Sequence, residues 1–199
     1  MSPGNTAQKG DGPETAGRSL RADAQRNRAR ILAAAGSVFA IEGTGVHVET
    51  IAEKAGVGVG TLYRHFPTKQ NLCEAVLLER VSALVVEAQQ LAAADDAGGA
   101  FFAFLAHFVG EAAAKRDLVA MMGDGTGIKQ TPTVQLELAD AVEVLLQRAQ
   151  LAAAVRPDVS ATTVLSLVGA ACQAAAHTSA VLNELLAIIC DGLRPPTPA

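Results

Sequence analysis

No tryptophan occurs in the 199 residues, tyrosine occurs once, and aromatic residues make up only 4% of the chain. No stretch alternates apolar and polar residues as a half-buried strand does. A β-rich fold is therefore excluded. Cysteine is scarce and odd in number: Cys73, Cys172 and Cys190, with no Cys-x-x-Cys pair. That excludes a disulfide framework and a zinc finger, and leaves the thiols as small buried hydrophobes. Redox sensing would instead require an exposed thiolate of low pKa. Long apolar runs are missing. The stretch around Val164–Ala176 is interrupted by Ser166 and Gln173, so no transmembrane span is expected. The N-terminus has no apolar core of a signal peptide, and a cytoplasmic location is expected. Motifs of catalysis are missing too. There is no Gly-x-Ser-x-Gly elbow and no Gly-Lys-Ser/Thr phosphate loop, although Gly123–Gly127 is glycine-rich. The histidines lack the His-x-x-x-His spacing of a helical metal site. No enzyme activity, cofactor or metal is expected.

What the chain has in abundance is alanine, 40 residues of it, and half of all residues are hydrophobic. Alanine is the best helix former, and the length is ample for a buried core without staples. An all-helical protein follows. Charge is unevenly placed. From Arg18 to Lys69 eight basic residues face four acids, whereas from Asn71 onward seven face fourteen. A net charge of −4 thus hides a basic N-terminal module on an acidic body. Such asymmetry suits a polyanionic partner for the N-terminal part alone.

Breaks divide the chain into helices. Residues 1–17, rich in Gly, Pro, Ser and Thr, are expected to be disordered. Ile31, Ala35, Val38 and Phe39 recur at helical spacing between about Asp23 and Glu42, where Gly43 stops the helix. Val48–Ala55 and Val59–Phe66 form two short helices around Gly56-Val57-Gly58. Thr68 caps a long helix to about Ala93. Further helices are expected over Ala100–Lys115, briefly near Leu118–Met122, and from Pro132 to about Ala154. Two more are expected from Pro157-Asp158 to about His177 and from Ser179 to Gly192.

Residues 46–69 are the informative segment. Helix, glycine turn, helix is the geometry of a helix-turn-helix. Ala52 is small where two helices must cross, and Gly56 suits the positive φ of a sharp turn. Ile51, Val57 and Leu62 point inward and lock the pair. The outer face then presents Thr61, Tyr63, Arg64 and His65, which can reach phosphates and base edges in a major groove. Lys69 adds a charge at the start of the next helix.

The run from Ile51 to Lys69, Ile-Ala-Glu-Lys-Ala-Gly-Val-Gly-Val-Gly-Thr-Leu-Tyr-Arg-His-Phe-Pro-Thr-Lys, closely resembles the TetR family of bacterial transcription regulators. The preceding Ile31–Gly43 resembles the family's first helix. The resemblance implies an N-terminal three-helix DNA-binding domain joined to a C-terminal helical domain for ligand binding and dimerisation, about nine helices in all. The expected boundaries are a disordered tail over 1–20, the DNA-binding domain over 21–67, the body over 68–193 and a C-terminal tail over 194–199. It further implies that Thr61, Tyr63 and His65 touch DNA, that Lys69 binds phosphate and that Gly60 allows close backbone approach. Three positions depart from the family pattern. His47 stands where Thr is common, Glu49 where Arg or another polar residue is common, and Val59 where polar base-reading side chains sit. A carboxylate accepts from a cytosine amino group but repels phosphate, so base preference is not legible.

Two tasks remain for the acidic body. The family builds a four-helix dimer interface from the last two helices and their symmetry mates. Gly169, Ala170 and Cys172 would let helices approach there, and Val181, Leu182, Leu185, Leu186, Ile188 and Ile189 make a stripe too wide for one neighbour. A homodimer matches a palindromic operator. The second task is sensing. Phe101, Phe104, Leu105, Phe108, Met121, Met122, Leu145 and Val168 are candidates to line an apolar cavity, with His107, Glu111, Gln173 and His177 as its polar contacts. Plain core is the competing reading of the Phe/Met cluster. The expectation is a repressor of double-stranded operator DNA released by an apolar or aromatic effector. The alternative is an effector-independent activator or architectural protein whose body only dimerises.

Overall fold

The computed structural model describes residues 13–114, 132–174 and 179–196. The short helix expected near Leu118–Met122 and the stretch Gly123–Gly127 lie outside the described residues. Among these residues there are eight α-helices and no strand: α1 (Pro13–Glu42), α2 (Val48–Ala55), α3 (Val59–His65), α4 (Lys69–Leu91), α5 (Ala97–Ala114), α6 (Pro132–Leu151), α7 (Ala161–Ala174) and α8 (Ser179–Leu193). None of them is long and apolar enough to cross a membrane.

The helices enclose two hydrophobic cores. Ile31, Ala35, Val38 and Phe39 of α1 close over Ile51 and Ala52 of α2, Leu62 of α3 and Phe66. This core is completed by Leu72, Cys73 and Val76 on the first turns of α4. Farther along the same helix, Val81, Leu84, Val85 and Ala88 enter the second core with Phe101, Phe104 and Leu105 of α5. Val142, Leu145 and Leu146 of α6 and Val164 and Val168 of α7 fill its other side. One continuous helix therefore belongs to both cores. Protein interiors are close-packed and transmit strain.

Helix ends follow local chemistry. The Thr68 hydroxyl accepts from Asn71 N at 3.1 Å and caps α4, as the sequence predicts. Three ends differ from expectation. Helix α1 begins at Pro13 rather than near Asp23, so residues 13–20 of the expected disordered tail are helical. Pro13 has the fixed φ that suits a first helical turn, and no second proline follows to break the helix. Helix α5 begins at Ala97, because the Asp96 carboxylate accepts from Gly99 N at 2.8 Å and caps it. Helix α7 begins at Ala161 rather than at Pro157-Asp158. Asp158 is occupied by a two-pronged ion pair with Arg156, at 2.6 and 2.7 Å, which holds its carboxyl below the usual range. Ser160 does the capping, accepting from Thr163 N at 3.3 Å, while Glu143 of α6 accepts from Ala161 N at 3.0 Å.

Candidate nucleic-acid interface

Helix α2 buries Val48, Ile51, Ala52 and Ala55 along one side, a spacing that brings all four onto the N-terminal core. Gly56 ends it with φ 62° and ψ 40°, and the backbone N–H groups of Gly56 and Val57 return to Glu53 O and Ala52 O at 2.9 and 3.0 Å. Only glycine adopts that left-handed conformation without cost. Helix α3 leaves Gly58 with no side-chain cap, and the N–H groups of Thr61 and Leu62 both bond the Gly58 carbonyl. Leu62 is its one fully buried residue. Leu62 is the main anchor of this short helix, with Val59 packed beside the core, and Gly60, Tyr63 and Arg64 are left exposed.

Tyr63 is 43% exposed, Arg64 and Gly60 are exposed, and Thr61 and His65 are half-buried. A side chain added at Gly60 would meet nothing within the protein, so the backbone there is open to an approaching surface. His47 and Glu49 are exposed at the start of α2. Val59 departs from expectation. It is half-buried and packs against the N-terminal core, where an apolar branched side chain is favourably desolvated. It contributes to the packing of α3 and remains partly open to solvent, as Thr61 and His65 do. Lys69 is half-buried and its Nζ donates to the carbonyl oxygen of Val46, tying the start of α4 to the loop before α2. An ammonium has three donors, so this bond leaves others for a phosphate.

Two arginines of α1 are parts of this construction that the sequence did not mark. The Arg28 guanidinium carbon lies 5.5 Å from the centre of the Phe66 ring, at the end of α3. Arg30 Nη2 donates to Gly56 O at 3.0 Å, across the turn. Both belong to the basic surplus visible in the sequence, but their partners are far along the chain and no spacing signals them.

The candidate effector residues are only partly brought together. Phe101, Phe104, Leu105, Leu145 and Val168 share the second core, all fully buried, with Phe108 stacked on Phe104 at 6.2 Å. His107 is not among them. It lies on the outer side of α5 with Nδ1 2.6 Å from Glu87 Oε2 of α4, both side chains part-exposed. Phe101, Phe104, Leu105 and Val109 fill the inward stripe, and His107 falls beside it. Gln173 is exposed on α7, and Glu111 is half-buried. Met121, Met122 and His177 lie outside the described residues.

A separate apolar groove of about 550 Å³ runs between α7 and α8, lined by Val164, Leu167, Ala171, Leu185, Ile188 and Ile189 among others. Ile188 is 61% and Leu167 48% exposed beside it.

Comparison with known proteins bears on both halves of the chain. Residues 31–76 match the family described as bacterial regulatory proteins, tetR family. Residues 96–195 match the C-terminal domain of transcriptional regulators like SbtR. A crystal structure of a TetR transcription regulatory protein from Mycobacterium vanbaalenii is 40% identical, with a TM-score of 0.70, covering 88% of this chain and 99% of that one. A TetR transcriptional regulator from Streptomyces coelicolor, SCO0520, is 33% identical with a TM-score of 0.66, covering 85% and 99%. An HTH-type transcriptional regulator from Staphylococcus aureus, SAUSA300_2515, is 37% identical over 73 residues. That match spans 36% of this chain and about 40% of the length of that curated relative.

Proposed function

The chain belongs to the TetR family of helix-turn-helix transcriptional regulators, and from that premise we propose that it is a sequence-specific repressor, a homodimer that a small apolar or aromatic molecule releases from its operator. The observation that carries this reading is the course of α4. Its first turns lock to the helix-turn-helix through Leu72, Val76 and the Lys69–Val46 bond. Its later turns pack on the phenylalanines of α5 and on α6. A molecule that displaces α5 or α6 displaces α4, and α4 carries α3 with it. Two recognition helices must sit about 34 Å apart to enter successive major grooves, so a shift in their separation weakens binding. The ligand acts only as far as it prefers the conformation that cannot span both half-sites.

In the DNA complex Tyr63, Arg64, Thr61 and His65 reach the major groove. Gly60 permits close approach, His47 and Glu49 face the backbone and nearby base edges, and Lys69 binds phosphate. The exposed apolar groove between α7 and α8 supports dimerisation there, since Ile188 and Leu167 would gain burial against a second copy. A specific observation favours a second reading, in which the body only dimerises. Phe101 and Phe104 have no exposed surface, His107 is held by Glu87, and Gln173 is exposed to solvent.

One experiment separates the two. Duplexes retained by the protein from a random library are sequenced, and their release is then measured against a panel of aromatic and aliphatic compounds. A palindromic retained motif released by one chemical class bears out the first reading. Retention that no compound disturbs favours the second. Failure to retain any duplex overturns both.

A further inference from the structure

Helix α1 is longer than its core requires. From Arg21 on, where its side chains are described, the buried residues begin at Ile31, yet the helix starts at Pro13. Between residues 21 and 30 every side chain is exposed except Ala22 and Asn27, which are half-buried. A helical segment with no apolar face gains little from tertiary packing, and isolated helices of such length are marginal in water. Its composition is one-sided. Residues 13–30 hold five arginines against Glu14 and Asp23.

Its position is fixed by two contacts already described. Arg28 lies over Phe66 at the C-terminal end of α3, and Arg30 reaches the Gly56 turn. The helix therefore leaves the domain alongside the recognition helix. At a rise of about 1.5 Å per residue, Arg21 stands about 10 Å along the helix axis beyond Arg28. Among the described residues Arg26 is engaged by Asp23, three residues before it, in a pair whose side chains are 65% and 55% exposed. Such a pair is weak and exchanges readily for a phosphate.

We propose that the N-terminal part of α1, through Arg21 and Arg26, is a second DNA-binding element that grips the phosphate backbone flanking the stretch read by α3. The occupant is argued from charge complementarity and from continuity with the helix-turn-helix surface. Phosphate contacts of this kind position a protein and add affinity without adding sequence preference. The proposal rests on the DNA-binding reading above.

The probe is a duplex retained from a random library by the wild-type chain, prepared with long flanks and again trimmed to the retained motif. Arg21→Ala/Arg26→Ala should weaken binding to the flanked duplex by about tenfold. It should also flatten the plot of log affinity against log salt by about 0.9 for each phosphate that is no longer neutralised. On the trimmed duplex the variant and the wild type should agree. Arg21→Lys/Arg26→Lys should restore the salt slope, because a point charge suffices for phosphate. The thermal midpoint of both variants should stay at the wild-type value, since neither side chain enters a core. A double-alanine variant with wild-type affinity and slope on the flanked duplex overturns the proposal, and so does an equal loss on the trimmed duplex. A wild-type chain that retains no duplex removes the DNA-binding reading and this proposal together, which is a different result from either.

Discussion

Arg30 Nη2 donates to the carbonyl oxygen of Gly56 at 3.0 Å, joining α1 to the turn between α2 and α3 across 26 residues of sequence. The same glycine holds φ at 62°, and a Cβ placed on it would run into that guanidinium. Gly56→Ala therefore combines left-handed strain with displacement of the Arg30 side chain. The strain alone is worth about 1–2 kcal/mol. Arg30→Ala removes only a partly exposed hydrogen bond, worth about 1 kcal/mol. Thermal unfolding should show both variants destabilised, Gly56→Ala the more so. Equal midpoints for Gly56→Ala and the wild type would mean that the turn tolerates a side chain.

Lys69 joins the first turn of α4 to the Val46 carbonyl beside the start of α2. Were it also a phosphate ligand, as proposed, it would contribute to binding of every sequence alike. Lys69→Ala should weaken binding to specific and random duplexes together and reduce the salt slope by about 0.9 per protomer. A slope equal to that of the wild type would leave Lys69 with the Val46 bond as its whole role.

Cys73 sits in the N-terminal core with no exposed surface, and burial pushes its thiol up to about 11, with Lys69 opposing in part. Only the thiolate is nucleophilic, so at neutral pH alkylation in the native state should be about a hundredfold slower than for an ordinary exposed cysteine. The sign of the pH effect follows. The folded state holds the proton more tightly than the unfolded chain, whose thiol titrates near 9. This contribution to stability is complete below pH 9 and is lost as the pH rises through 11. Cys73→Ala should show a shallower decline over that window in denaturant titrations. Rapid native alkylation of Cys73 at pH 7 would contradict the burial.

The helix-turn-helix was legible because its determinants are local. Ile51, Ala52, Ala55 and Leu62 bury themselves by spacing alone, Gly56 marks the turn, and Thr68 caps its own helix. What the sequence concealed depends on distant partners or on competing local ones. Arg28 and Arg30 find Phe66 and Gly56 only once α1 has folded over the pair. Asp158 looked like the start of a helix until Arg156 claimed it, leaving Ser160 to cap. On α5 four phenylalanines fall within eight residues, so aromatic positions alone do not mark its inward face. His107 accordingly looked like a cavity residue, whereas Glu87 holds it on the outside. Val59 shows the same ambiguity on α3, where an apolar side chain at a position of polar contacts packs partly against the core.

Ile188 provides the test of the dimer face. It is 61% exposed in the single chain, beside the groove between α7 and α8. Ile188→Glu therefore places a carboxylate in water as long as the chain is alone, and folding should be preserved. In a dimer closed over that groove the same carboxylate is buried without a partner, which costs several kcal/mol. Light scattering should report a mass near that of one chain for the variant and of two for the wild type, with matching circular dichroism. The consequence for DNA follows from geometry. A monomer engages one half-site, so it forfeits the gain from tethering two recognition helices, a factor of about a hundred or more. Binding to a palindromic duplex should fall accordingly, while binding to a single half-site should match the wild type. A folded Ile188→Glu variant that stays dimeric places the contact on another face of the body. Full affinity of a monomeric variant for the palindrome would detach dimerisation from DNA recognition altogether.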